Sequence, residues 1–327
     1  MTDPIRIPEP GVYDIPSDTY HADPCAAPSL TASIAKILDD RSPLHAWTAH
    51  PRLNRDAKPV RRSEFDLGSA AHAVILKSGD ELVIIDPADY PAKNGNIPAG
   101  WTNDAIRSAR DAAYDAGKIP ILPSQHDTIM DMVTAVMLAT GANEELDGWD
   151  LAGRAEQTLV WREGDVWCRS RLDWMPDTPS GIYLDLKTTE TSVNPETVGR
   201  YAMSMQWDVQ EAFYRRGLMA LGICTKPRFR FVAVESTRPH AVAIVGLPPE
   251  VAAMADAKVE HAIRTWRECM QSGHWQGYTN RTVWIDPPPW ANMRHQERWA
   301  AQSGGSVSPE SLRAGDAFQS PLRGANQ

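Results

Sequence analysis

Apolar residues alternate with polar ones in the middle of the chain, and this period of two is the pattern of a half-buried β-strand. Residues rich in Pro, Gly, Asp and Ser separate the alternating runs, as turns between antiparallel strands do. We therefore predict three consecutive antiparallel strands, within 155–161, 166–174 and 181–189.

Helical spacing of apolar residues dominates on both sides of these strands. The pattern predicts helices over 65–76, 104–116, 124–140, 195–221 and 249–270, and a strand hairpin over 228–234 and 241–245. A further short helix is predicted over 30–40, with Ser29 as its N-cap, because a serine oxygen can accept a bond from a free helix N–H.

The composition along the chain divides it into three parts. We predict a Pro-rich arm with a short helix over 1–50, a main domain over 51–290 with a helical insertion at about 86–150, and a tail over 291–327. The Gly/Ser-rich end has little apolar surface to bury, so disorder is expected from about residue 301. The Trp- and Pro-rich stretch 275–299 is either a stacking platform for bases or a strap that packs on the core.

Charge and apolar content limit where such a protein could act. The formal net charge of −9 argues against a globally basic nucleic-acid binder, although a local basic groove would suffice. No apolar run approaches the roughly 20 residues that span a bilayer, and the N-terminus lacks the apolar core of a signal peptide. Its four cysteines have no metal-ligand spacing and fit reduced thiols. We expect a cytoplasmic protein without a membrane partner.

The strand over 181–189 carries one acid and one base, Asp185 and Lys187, two residues apart. Alternate side chains share a strand face, so these two point the same way, while Ile182, Leu184 and Leu186 point to the other face. A carboxylate that holds a divalent cation and a lysine that orients water suit metal-assisted phosphodiester cleavage. The alternative is an exposed ion pair at a strand end.

Two further acids, Glu156 and Asp173, lie on the preceding strands, and the predicted pairing brings both towards Asp185 at one sheet edge. Three carboxylates at close range repel one another unless cations neutralise them. His72 lies inside the helix over 65–76, where the alternative is a histidine bonded within the core.

A helix also presents two polar side chains four residues apart, Gln210 and Tyr214, which therefore share a face. Their alternative is the polar fringe of an ordinary packed helix. A basic segment just before the His72 helix is expected to hold DNA phosphates, unless it is a solvated loop; its cations are Arg55, Lys58, Arg61 and Arg62.

The ordered set of these residues resembles the PD-(D/E)XK nuclease superfamily, and more closely its RecE-like (exonuclease VIII) and RecB-type branch. The set consists of Gly68-x-x-x-His72, Glu156, Asp173, Asp185-x-Lys187 and Gln210-x-x-x-Tyr214. The N-terminal run from Tyr20 to His45 is similar to the opening of phage and prophage RecE-like domains, and the likeness covers roughly 10–290. The second acid of the naming motif is Asp185 here, where many members have glutamate.

The resemblance implies an α/β (α+β) fold with a restriction-endonuclease-like core, a central mixed sheet flanked by helices. It further implies that Asp173, Asp185, the Leu186 carbonyl, Glu156 and His72 bind Mg²⁺ or Mn²⁺. Lys187 would position the attacking water, and Gln210 and Tyr214 would orient the site or contact the DNA backbone.

The implied activity is 5′-to-3′ exonuclease digestion of linear double-stranded DNA. The product would be a 3′ single strand for recombination by annealing. A single-strand annealing protein and a ring-shaped homo-oligomer are the expected partners, in the bacterial host cytoplasm. The alternatives are an endonuclease or structure-specific nuclease in phage DNA processing, and a DNA-binding module without turnover.

Overall fold

The computed structural model describes residues 6–54, 56, 67–79, 81–92, 94–178 and 181–303. The chain forms two compact units that meet in sequence between Tyr278 and Thr279. The first unit contains the sheet and nine of the ten helices in the described ranges, and the second contains the helix Pro289–Ser303. No helix in these ranges is both long and apolar enough to cross a membrane.

Six strands form one mixed sheet in the order β1-β4-β5-β6-β7-β8, in which only the β6–β7 pair is parallel. The predicted antiparallel succession β4-β5-β6 is confirmed, and so is the hairpin of β7 and β8. A separate parallel pair joins β2, which lies just before the predicted insertion, to β3, which lies within its bounds. The strands are β1 (Gly11–Tyr13), β2 (Leu82–Ile84), β3 (Ile119–Ile121), β4 (Gly153–Glu163), β5 (Val166–Pro176), β6 (Ile182–Thr189), β7 (Arg228–Glu235) and β8 (Val242–Val245).

Helices cover both faces of the sheet, which confirms the predicted fold class. The helices are α1 (Ser17–His21), α2 (Ala32–Asp40), α3 (Pro43–Ala49), α4 (Leu67–Ile75), α5 (Asp104–Asp115), α6 (Pro123–Gly141), α7 (Pro195–Ser204), α8 (Trp207–Ala220), α9 (Pro249–Ser272) and α10 (Pro289–Ser303). Single 3₁₀ turns occur at Pro87–Asp89 and Trp149–Leu151.

The alternation along β6 decides which helices meet the charged residues. Ile182, Leu184 and Leu186 join the apolar cluster built with α4 and α6, whereas Tyr183 joins the cluster built with α2, α8 and α9. Since odd and even positions of a strand face opposite ways, Asp185 lies on the face covered by α8. The predicted division of this strand into an apolar face and a charged face is confirmed.

The single helix predicted over 195–221 is wrong, because α7 ends at Ser204 and α8 begins at Trp207. Gln206 adopts a left-handed backbone with φ of 52°. Trp207 then stacks on Phe231 of β7 at 5.1 Å, so burial of this large side chain overrides a local sequence that contains no helix breaker. The break places Gln210 and Tyr214 in α8, a helix separate from α7.

The predicted N-cap at Ser29 is also wrong. Thr31 caps α2, since its side chain accepts a hydrogen bond from the Ile34 N–H at 3.2 Å. Ser29 is fully buried and donates instead to Asp23 at 2.7 Å. The cap therefore lies two residues later than the sequence pattern indicated.

The Trp- and Pro-rich stretch behaves differently along its length. Trp275 packs edge-on against Trp266 of α9 with ring centroids 5.3 Å apart, as the packing interpretation expects. In the second unit Trp284, Ile285 and Trp290 are largely exposed. The stacking platform therefore stays a prediction for that part.

Candidate active site

His72, Glu156 and Asp173 come together between α4 and the strands β4 and β5. His72 Nε2 lies 2.7 Å from Asp173 Oδ2, and His72 Nδ1 lies 3.4 Å from Glu156 Oε1. Each of the three side chains can offer one ligand atom such that all three atoms lie within 4.8 Å of one another. The structure thus unites three residues that are up to 101 positions apart in the chain.

Glu156 reaches this cluster through an unusual backbone. The pairs Ala155 with Trp174 and Gln157 with Leu172 set a register that puts Glu156 opposite Asp173. Glu156 has a φ of 57°, in the left-handed region that costs an L residue about 1–2 kcal/mol. Arg171 on the neighbouring strand forms an ion pair with the Glu156 carboxylate, and this ion pair offsets the strained conformation.

The charged groups of this cluster shift one another's pKa values. Burial alone would lower the pKa of His72, but the carboxylates of Asp173 and Glu156 raise it to about 10. Burial alone would raise the pKa of Asp173, yet the charge and hydrogen bond of His72 lower it. The same holds for Glu156, whose pKa is lowered by His72 and Arg171. The protonated imidazole therefore stands between two carboxylates as their counter-ion.

Asp173 also links the cluster to β6, because its Oδ2 accepts the Leu186 N–H at 2.7 Å. The next residue back, Asp185, is 1% exposed. Burial, and then the charge of Asp173, raise the pKa of Asp185 to about 6, although Lys187 opposes the rise. Two mutually repelling carboxylates at the junction of β5 and β6 are thus held at close range.

Lys187, Gln210 and Tyr214 complete a second network around Asp185. Lys187 forms an ion pair with Asp185, and its Nζ donates to Gln210 Oε1 at 3.1 Å. Gln210 Nε2 donates to Asp185 Oδ2 and lies 3.3 Å from the Tyr214 hydroxyl. The side chains predicted on β6 and on the helix after it therefore meet, and β6 binds both ends of the Gln210 amide, Lys187 its oxygen and Asp185 its nitrogen.

Two residues of the site were missed by sequence reasoning. Arg171 binds Glu156, and a signal existed, since Arg171 and Asp173 alternate on one strand. Lys36 of α2 donates to Gln210 Oε1 at 3.4 Å, and no local motif announces it. The predicted DNA contacts Arg55, Lys58, Arg61 and Arg62 lie outside the described residues.

A family model described as a PDDEXK-like domain of unknown function (DUF3799) matches residues 48–285. The chain belongs to this PDDEXK-like family. The predicted membership of the PD-(D/E)XK superfamily is thereby confirmed. Membership of a PDDEXK-like family supports a nuclease.

Solved structures resemble this PDDEXK-like chain at low identity. A candidate exonuclease from Eubacterium rectale is 9% identical with a TM-score of 0.51, over 86% of this chain and 98% of that one. A phage-related exonuclease from Haemophilus somnus 129PT is 13% identical with a TM-score of 0.27, over 63% of this chain and 95% of that one. No protein of curated function matches the chain. At these identities the first likeness speaks for the fold alone.

The donor set of the PDDEXK-like site fits a divalent cation, as nucleases of this superfamily use. Two carboxylates and an imidazole converge in the cluster. Asp185 is buried next to this cluster, with its Oδ1 paired with the Lys187 ammonium. Carboxylate oxygens with one imidazole suit hard or borderline ions such as Mg²⁺ and Mn²⁺.

Proposed function

We propose that the protein is a divalent-metal-dependent DNA exonuclease that digests linear double-stranded DNA from 5′ to 3′. One observation carries this proposal: in a PDDEXK-like chain, Asp173, Asp185 and Lys187 meet at the junction of β5 and β6, beside His72 and Glu156. Such a set is poised to neutralise the charge of a phosphodiester while it orients water.

The metal ligands we propose are His72, Glu156, Asp173, Asp185 and the Leu186 carbonyl. A bound Mg²⁺ or Mn²⁺ supplies Lewis-acid stabilisation of the charge that develops on the phosphate. His72 must release its proton when it serves as a ligand, because the protonated imidazole has no free lone pair. The Asp173–Leu186 N–H bond fixes one carboxylate oxygen and leaves the other oxygen of Asp173 to the cation.

Lys187 orients the water and faces the negative phosphate in this proposal. Its ammonium has three N–H donors, and it is held by Gln210 Oε1 and Asp185. Gln210 in turn is fixed by the Tyr214 hydroxyl at 3.3 Å, so this pair positions the lysine. The resemblance to RecE-like nucleases supports the direction of digestion, a 3′ single-stranded product, an annealing partner protein and a ring-shaped oligomer.

The test is digestion of linear duplex DNA labelled separately at the 5′ and 3′ ends, with Mg²⁺, Mn²⁺ or a chelator. We expect early loss of 5′ label, intact closed circles, and loss of activity in Lys187→Ala. The exposed Lys226→Ala is the matched control and should keep full activity. Early loss of 3′ label would overturn the direction.

Two other outcomes would replace the proposed exonuclease function by a different one. Cleavage of covalently closed circles would replace the exonuclease by an endonuclease with the same site. No cleavage with any divalent metal, while DNA still binds, would leave a binding module. A thermal shift with metal separates these cases, because a ligand that binds only the folded state raises its stability.

A further inference from the structure

Lys36 lies at the candidate site although it belongs to α2, far from the strands in sequence. Its Nζ donates to the Met205 carbonyl at 3.0 Å and to Gln210 Oε1 at 3.4 Å. The same amide oxygen accepts from Lys187 Nζ at 3.1 Å. Two ammonium groups from different elements, α2 and β6, therefore share one acceptor.

The surroundings of Lys36 differ from those of the other cations of the site. Lys187 and Arg171 each form an ion pair with a carboxylate. In the described part of the chain, no carboxylate lies within ion-pair distance of Lys36, and both of its acceptors are neutral oxygens. Asp185 is the counter-charge of Lys187, whereas Lys36 has no directly paired carboxylate in the described residues, and such an ammonium is well placed to bind an anion.

The donor count of Lys36 agrees with this. A lysine ammonium has three N–H donors, and the two acceptors use two of them, so one donor remains for a ligand. Burial, and then the charge of Lys187, lower the pKa of Lys36 to about 8. A partly desolvated ammonium attracts an anion more strongly than one in bulk water, because the local dielectric screens it less.

We propose that Lys36 binds a non-bridging phosphate oxygen of the cleaved strand, next to the bond that is broken. This inference rests on the proposed nuclease function and extends it, since it assigns α2 and its lysine to the substrate contacts. Lysine meets phosphate as a point charge, which makes the contact independent of base sequence. Gln210 then holds two ammonium groups in register, Lys187 for the reacting phosphate and Lys36 for its neighbour.

The first test compares wild type with Lys36→Met and Lys36→Arg, with Lys226→Met as a matched surface control. Equilibrium binding to duplex DNA with Ca²⁺ in place of Mg²⁺ is measured against salt. Loss of one phosphate contact should reduce the slope of log Kobs against log[salt] by about 0.9 in Lys36→Met. Lys36→Arg should retain the slope, and thermal melting should show that both variants fold.

The second test replaces single phosphates near the cleaved end by neutral methylphosphonates. We expect one position at which the substitution weakens wild-type binding about 10-fold and has no further effect in Lys36→Met. Turnover of unmodified DNA should fall about 10- to 100-fold in Lys36→Met, as for loss of one charge-stabilising donor. Additive losses at every position, or an unchanged salt slope, would overturn the contact.

These readouts separate the two proposals. If wild type binds DNA without cleaving it, the nuclease proposal fails while the salt slope and the methylphosphonate cycle still decide on Lys36. If wild type cleaves DNA and Lys36→Met keeps both its slope and its turnover, the Lys36 contact fails alone. If wild type does not bind DNA under any condition, both proposals are wrong.

Discussion

His50 and His72 each contact an aspartate from a distant part of the chain, and their surroundings differ. His50 Nε2 lies 3.3 Å from Asp23 Oδ2, and both side chains are 0% exposed. His72 lies 2.7 Å from Asp173, with 24% and 14% of the side chains exposed. The same pair of residue types therefore occurs once sealed in the interior and once at an opening.

The balance of charges differs as well. Asp23 is fully satisfied, since it accepts from the N–H and the hydroxyl of Ser29 and pairs with Arg169 at 2.9 Å. Around His72 the contacts are shared instead, because one imidazole contacts both Glu156 and Asp173, and Arg171 pairs only with Glu156. A sealed and saturated network serves stability, whereas partly exposed carboxylates that share one imidazole can exchange its proton for a metal ion.

The largest effect that we predict concerns the His72–Asp173 pair at the candidate active site. Asp173→Asn should lower nuclease turnover on the order of 10³-fold or more, because it removes a carboxylate that we propose as a metal ligand. It should also abolish the thermal stabilisation by Mg²⁺, which for wild type at 100 times Kd is about 2.7 kcal/mol. The exposed Asp177→Asn on the same chain segment is the control. An active Asp173→Asn enzyme would contradict the assignment.

The second prediction concerns the sealed pair. Asp23→Asn should lower the free energy of unfolding by about 3–5 kcal/mol, because it leaves the buried guanidinium of Arg169 without its counter-charge. Turnover per folded molecule should be retained well below the melting temperature. Urea unfolding measures the loss, and the exposed Asp14→Asn should be nearly neutral. A loss of activity without a loss of stability in Asp23→Asn would contradict the structural role that the comparison gives to Asp23.

The third prediction uses pH and the metal-free protein. The pKa of His72 rises from 6.5 to about 10 on folding, so its contribution to stability is fully present below pH 6.5 and is lost as pH rises through about 10. We expect on the order of 2 kcal/mol for a pair that remains partly exposed. His72→Gln should lose this alkaline slope, measured by urea unfolding between pH 6 and 10, and His274→Gln should keep it.

Sequence patterns sufficed for the parts of the site that local order determines. Strand alternation gave Asp185 and Lys187 a common face, and turn residues set the succession of β4, β5 and β6. Lys36 could not be found this way, because it meets Gln210 across 174 positions and its neighbours in α2 form no motif. The break before Trp207 was missed for a related reason, since tertiary burial and not a breaker residue causes it.

The smallest predicted effect concerns the backbone conformations of Asp23 and Glu156, one acid from each of the two regions. Both Asp23 and Glu156 have positive φ, 61° and 57°, but aspartate tolerates this region better than glutamate does. At an ordinary strand position alanine is favoured over glycine by about 0.5–1 kcal/mol. At Glu156 the order should be reversed, with Glu156→Gly more stable than Glu156→Ala by about 1 kcal/mol, because only glycine avoids the left-handed strain.

This pair of variants isolates the backbone from the carboxylate, since both lack the side chain that binds Arg171 and His72. Gln157→Gly and Gln157→Ala, one position further along β4, provide the reference, and there alanine should be the more stable. Urea unfolding of the four metal-free proteins measures the difference. Should Glu156→Ala prove the more stable, the left-handed backbone would be a consequence of the glutamate side chain that relaxes once it is gone. If Glu156→Gly is the more stable, the strand itself imposes the left-handed conformation at this position. Glu156 then occupies a strained position because that position lies opposite Asp173.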